Sequence, residues 1–310
     1  MRHRQMPIRM KGMARHATFA PLAAALIAVC VFLSGCGNGN RIIIGTQTFS
    51  EPKILANMYK LLIEDRTNMK VKVMPDLATS TVVLDALTRD DIQMASLYSG
   101  IILDNYFPIE RTNDRASILK QAQEGFDKHY GLKWFDSYGF ENTYAFTVRK
   151  ELAEKEQLHQ ISDVKDKAQS MRLGVDTSWL EREGDGYEDF QKVYGITFGK
   201  VYPMEVALVY NAIATNKMDI VVAYSTDARL KQYELVTLED DKHFFPPYDA
   251  SPVIRKEVLE KHPELQEVID LLIGKLDAKT MIDLNYEVDV NKRNEKRVAE
   301  EYLKKVGLLK

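Results

Sequence analysis

Cysteine is nearly missing from this chain of 310 residues: there are two, Cys30 and Cys36. Everything after them has no thiol to oxidise, so no disulfide and no cysteine nucleophile is available, and stability must come from the core alone. Long apolar runs are also lacking. "PLAAALIAVCVFL", near the start, is too short to span a bilayer comfortably, and no later stretch reaches that length. A basic block is absent beyond the first residues, which argues against nucleic acid as a partner. Catalytic signatures are absent as well. There is no HExxH, GxSxG, P-loop or GxGxxG, and His129, His159, His243 and His262 are scattered along the chain. "EREGDGYEDF" (181–190) bunches carboxylates around two glycines and reads as a solvated turn rather than a calcium loop. No enzyme, cofactor or metal site is expected.

The amino terminus differs from the rest. Arg2, Arg4, Arg9, Lys11 and Arg15 come without an acid, and the apolar run then leads into "LSGCGNGN". This is the pattern of a secretory signal peptide, and it is set aside from the fold. Leu33-Ser34-Gly35-Cys36 resembles the lipobox of bacterial lipoproteins, so residues 1–35 are expected to be removed, Cys36 to carry lipid and 36–40 to form a tether. Taking five basic residues from 42 leaves 37 against 45 acids, a formal charge of −8 for the mature chain.

Along that chain, short apolar runs alternate with helical patterns. "RIIIGTQ", "VKVMPDL" and "IQMASLYS" read as strands, and "EPKILANMYKLLIEDR" as an amphipathic helix with Ile54, Leu55, Met58, Leu61 and Leu62 on one face. "YAFTVRK", "RLGVD", "FGKVYPM" and "DIVVAYS" form a second group of strands, and the end of the chain is helical, including "EVLEKHPELQEVIDLLIGKL" as one helix. Two clusters of alternation predict an α/β architecture with largely parallel sheets in two lobes. Lobe I is expected over 41–138 plus 241–310 and lobe II over 139–240, with crossings at "WFDSYGF" and Pro246-Pro247.

Tyrosine is what the chain has in plenty: fifteen, against two tryptophans. Tyr98, Tyr144, Tyr224 and Tyr248 fall at strand or loop ends, where α/β lobes meet ligands. Rings gathered there make a box suited to a cation without hydrogen-bond donors, such as a methylated ammonium. For any single tyrosine the plainer reading, a partly buried packing residue with a satisfied hydroxyl, stays open on spacing alone.

The segments "KWFDSYGFENTYAFTV", "GVDTSWLEREGDGY", "AYSTDARL", "HFFPPYDASPVI" and "LNYEV" together resemble the substrate-binding lipoproteins of osmoprotectant ABC importers, over essentially all of 41–310. The resemblance implies a two-lobed periplasmic-binding-protein type II fold with the ligand in the interlobe cleft. It implies capture of glycine betaine, choline, carnitine or a related quaternary ammonium compound for osmoprotection, with no enzymatic activity. The partners implied are an ABC permease with its cytoplasmic ATPase, and a membrane reached through the lipid, most simply the outer face of a bacterial cytoplasmic membrane. A cage of Tyr98, Tyr144, Tyr224 and Tyr248 follows from the same resemblance, with Gln47 of "GTQTFSE" helping to hold the ligand's polar end and Asn142 a donor beside the cage strand.

The loop "DLATS" (76–80) lacks the glycine and asparagine seen in some members of that family, and one further departure matters more. After "YSG" the family tends to carry a small polar or acidic residue; here it is Ile101. An apolar side chain there removes a partner for a carboxylate or hydroxyl, so the ligand is expected to be bulkier or to have a less polar tail. An amino-acid receptor of the same fold would need an arginine clamping the carboxylate, and Arg149 and Arg229 lie near strand ends.

Overall fold

The computed structural model describes residues 40–182 and 184–310. The expected signal peptide, Cys36 and residues 37–39 of the tether lie outside the described residues. Among those described, no helix is long and apolar enough to cross a membrane.

Two five-stranded sheets carry the architecture. In the first, β1 (Arg41–Gly45) lies between β2 (Lys70–Met74) and β3 (Met94–Tyr98), all parallel. Next to β3 comes β10 (Ala250–Arg255), and β4 (Leu132–Trp134) closes the edge. β3, "MASLY", is buried along its whole length, as a central strand covered on both faces must be. The second sheet runs β7-β6-β8-β5-β9, built from β5 (Tyr144–Arg149), β6 (Arg172–Asp176), β7 (Lys200–Met204), β8 (Ile220–Tyr224) and β9 (Leu235–Thr237).

The sheets are mixed, where the strand–helix alternation predicts largely parallel ones. β10 runs antiparallel to β3 and β4, and β5 antiparallel to β8 and β9. The reason is the route of the chain. β5 and β10 are the strands entered straight after the chain leaves the other sheet, through residues 135–143 and 238–249, so each starts at the edge where its parallel neighbour ends. The two crossing segments bond to each other: Asn142 N–H donates to Tyr248 O at 3.1 Å and Ala250 N–H to Phe140 O at 3.1 Å.

The helix Ser50–Arg66 buries Ile54, Leu55, Met58 and Leu62 as its pattern predicts, leaves Leu61 of the same expected face partly buried at its margin, and buries Glu51. The long helix expected over 257–276 is broken into Lys256–Lys261 and Glu264–Asp270. Pro263 between them has no N–H to continue the first helix and suits the start of the next.

Candidate functional site

Register brings the tyrosines together. Tyr224, the last residue of β8, pairs in register with Tyr144, the first of β5. In the other sheet Tyr98 ends β3 opposite Ala250, which begins β10, and Tyr248 stands two residues before it. All four therefore occur at the carboxyl edges of parallel strands, because an antiparallel neighbour begins where a parallel strand stops.

A cavity of about 490 Å³ lies at this edge, lined by Tyr98, Tyr224 and Tyr248 together with Phe49, Ile101 and Asn142. Phe49 stacks on Tyr98 with ring centroids 6.2 Å apart. Tyr144 is not among the lining residues of this cavity; its ring stands 5.1 Å from that of Tyr224, and the Arg182 guanidinium lies 5.8 Å from its centroid on the face. Gln47 is fully buried and does not reach the wall. Its Nε2 donates to the Ser80 hydroxyl at 3.1 Å and to Ser96 O at 3.3 Å, so it holds Ser80, which does line the cavity.

The charged lining is mostly acidic: Glu51, Asp104, Asp227 and Asp289 against Arg229. Arg229 is already engaged, 2.6 Å from Asp227 Oδ2 and 3.8 Å over the Tyr210 ring. Arg149 spends its guanidinium on Ile213 O at 2.9 Å and Met218 O at 2.5 Å, capping a helix end. Neither offers a free clamp to a carboxylate. The acids of "EREGDGYEDF" are bound locally, Asp185 to Arg182 at 2.8 Å and Asp189 to Gly184 N–H at 2.7 Å.

Glu51 is the residue that sequence reasoning missed. Its Oε1 accepts from the Tyr98 hydroxyl at 2.6 Å and from Asn142 Nδ2 at 3.3 Å, and its Oε2 from Asn285 Nδ2 at 3.4 Å. Burial holds its carboxyl above the usual carboxylate range, opposed by these bonds and one from Thr226. Burial also pushes the phenols of Tyr98, Tyr144, Tyr224 and Tyr248 up, so all four stay neutral donors. A signal was present: Glu51 stands three residues before Ile54 and four before Leu55, a carboxylate on the apolar face of its helix.

Residues 40–305 match the family model for the substrate-binding domain of ABC-type glycine betaine transport systems. The chain belongs to this family. The carnitine transport binding protein OpuCC of Listeria monocytogenes is 40% identical over 294 residues, covering 92% of this chain and 96% of that one. A glycine-betaine-binding protein of Pseudomonas aeruginosa is 30% identical over 301 residues, covering 93% of this chain and 96% of its own. Among solved structures, one described as a glycine betaine/carnitine/choline ABC transporter aligns with a TM-score of 0.83 at 42% identity, over 86% of this chain and 99% of that one. The two-sheet α/β arrangement is thus that of a type II periplasmic binding protein, and the family binds a substrate rather than transforming it.

Proposed function

We propose that this chain captures a quaternary ammonium compound in the cleft between two lobes and delivers it to an ABC permease driven by a cytoplasmic ATPase, as an osmoprotectant receptor. Lobe I comprises 41–138 plus 241–310 and lobe II 139–240, in keeping with the membership of the two sheets. Tyr98, Tyr144, Tyr224 and Tyr248 form the cage, with Asn142 beside it, Ile101 toward the ligand's other end and Gln47 acting through Ser80. The receptor works outside the cytoplasm, held to the membrane by lipid on Cys36.

The observation that carries the reading is a cavity with tyrosine walls whose charged lining is acidic and whose one arginine is already paired. A permanently cationic head without N–H donors suits such walls. An α-amino acid does not, for want of a free guanidinium to hold its carboxylate. Four desolvated cation–π contacts at about 2 kcal/mol each give on the order of 8 kcal/mol. That is the binding energy of a roughly micromolar complex before the costs of association are subtracted. Lobe closure and a further attraction must supply the difference.

A ligand with a bulkier or less polar tail than glycine betaine is favoured by the cavity volume of about 490 Å³ and by Ile101 on its wall. Calorimetric titration with choline, glycine betaine, carnitine and a set of amino acids tests the reading. Binding confined to the quaternary ammonium compounds supports it; binding confined to amino acids overturns it.

A further inference from the structure

The tyrosines leave one cavity group unexplained. Glu51 is 1% exposed, sits in the first turn of Ser50–Arg66 and lines the cavity. Each of its partners is a neutral donor: Tyr98 from β3, Asn142 from a crossing segment, Asn285 from the helix Ala278–Asp289 and Thr226 from the segment after β8. Among the described residues no lysine or arginine forms an ion pair with it. A buried carboxylate without a cation is costly to keep ionised. Four donors from four separate elements nevertheless converge on it, which orients the group without supplying a cation.

We propose that Glu51 is the counter-charge of the captured cation, a carboxylate fixed in the cavity wall whose ion pair is completed by the ligand's ammonium. This rests on the quaternary ammonium reading of the same site. The other charges around it are committed or lie on the rim. On the same helix Lys53 pairs with Asp76 at 2.7 Å. From the segment after β8, Asp227 is held by Arg229. From Ala278–Asp289, Asp289 accepts from the Ser50 hydroxyl. Burial raises Glu141 on the crossing segment, against Arg115, and raises Asp104 beyond β3, against Arg182; Asp289 is raised by burial too, and Asp104 and Asp289 are exposed residues of the cavity lining. The phenols of Tyr98, Tyr138, Tyr224 and Tyr248 are neutral.

A consequence follows for protons. In the empty cavity burial favours the protonated acid. A cation brought beside it favours the carboxylate, so loading expels a proton and affinity rises with pH until the empty site is itself ionised.

The test titrates the full chain and its Glu51→Gln and Glu51→Asp variants with glycine betaine, L-carnitine, choline and 3,3-dimethyl-1-butanol, the uncharged carbon isostere of choline. Glu51→Gln is expected to weaken binding of the cations by about tenfold or more while sparing the isostere. Wild-type affinity for the tightest cation should rise with pH above the ordinary carboxylate value of about 4.3, Glu51→Asp should keep that slope, and Glu51→Gln should lose it. Wild-type titrations in two buffers of different ionisation enthalpy read the proton release without any variant. Equal losses for choline and its isostere, a slope that survives in Glu51→Gln, or no proton release at any pH above that value overturns the role of Glu51 alone. If wild type binds none of the three cations, the reading of the site fails and this inference with it.

Discussion

The Tyr98 hydroxyl donates to Glu51 Oε1 at 2.6 Å, joining one tyrosine wall of the cavity to the buried carboxylate beside it. The two residues come from different elements, the end of β3 and the first turn of Ser50–Arg66. Tyr98 therefore has two tasks, lining the cavity and holding the acid through its hydroxyl.

That double task separates Tyr98 from the other tyrosines. Alanine at any of Tyr98, Tyr144, Tyr224 or Tyr248 is expected to cost about 1–2 kcal/mol of binding, the share of one cation–π contact. Phenylalanine keeps the ring and should cost less at Tyr144, Tyr224 and Tyr248. At Tyr98 it also removes the hydrogen bond to Glu51, worth about 1.5–3 kcal/mol once the ligand holds that carboxyl ionised, so the phenylalanine series should be worst there in calorimetric affinity. Equal losses along the series would remove the link between ring and acid.

Gly100 offers a steric test of Tyr248. A Cβ at Gly100 would stand 2.5 Å from the Tyr248 ring atoms Cε1 and Cζ, far inside van der Waals contact. Gly100→Ala should turn that ring and weaken ligand binding more than it lowers the unfolding midpoint. A variant that binds like wild type would show Tyr248 to be dispensable.

Ile101, 4% exposed on the cavity wall, bears on the ligand's far end. Leaving a buried polar group unpaired costs about 1–3 kcal/mol, so Ile101→Thr should move the ranking toward carboxylate-bearing betaines relative to choline. An unchanged ranking across the same panel would leave the cage intact and refute the account of its selectivity.

The fold was legible in the sequence where the periodicity was strong. The helix read from Ile54, Leu55, Met58 and Leu62 is present, and the strands ending at Tyr98 and Tyr224 are where their apolar runs predict. The direction of β5 and β10 was not legible, because it depends on the chain crossing between sheets and not on any local pattern. The break at Pro263 was visible in the residue itself but masked by the apolar spacing around it. Within the site, three of the four tyrosines read at strand ends, Tyr98, Tyr224 and Tyr248, line the cavity, and Tyr144 stands behind Tyr224. Glu51 escaped because its partners Asn142 and Asn285 lie 91 and 234 residues away.

Stability should carry the mark of that acid. Unfolded, Glu51 ionises near the ordinary value of about 4.3; folded, burial keeps its proton on to higher pH. The folded state thus binds the extra proton in the window between the two values, and wild type loses stability relative to Glu51→Gln as pH rises through it, levelling off above the folded value. Urea midpoints of the two proteins, compared at several pH values without ligand, check this. A difference that does not change with pH would contradict it.

The most direct test is a crystal structure of the protein with its tightest-binding quaternary ammonium compound. The account predicts the ammonium within about 6 Å of the ring centroids of Tyr98, Tyr144, Tyr224 and Tyr248, with Glu51 as the nearest carboxylate. An ammonium lying away from these rings, or a ligand held through its carboxylate by Arg149 or Arg229, would contradict it.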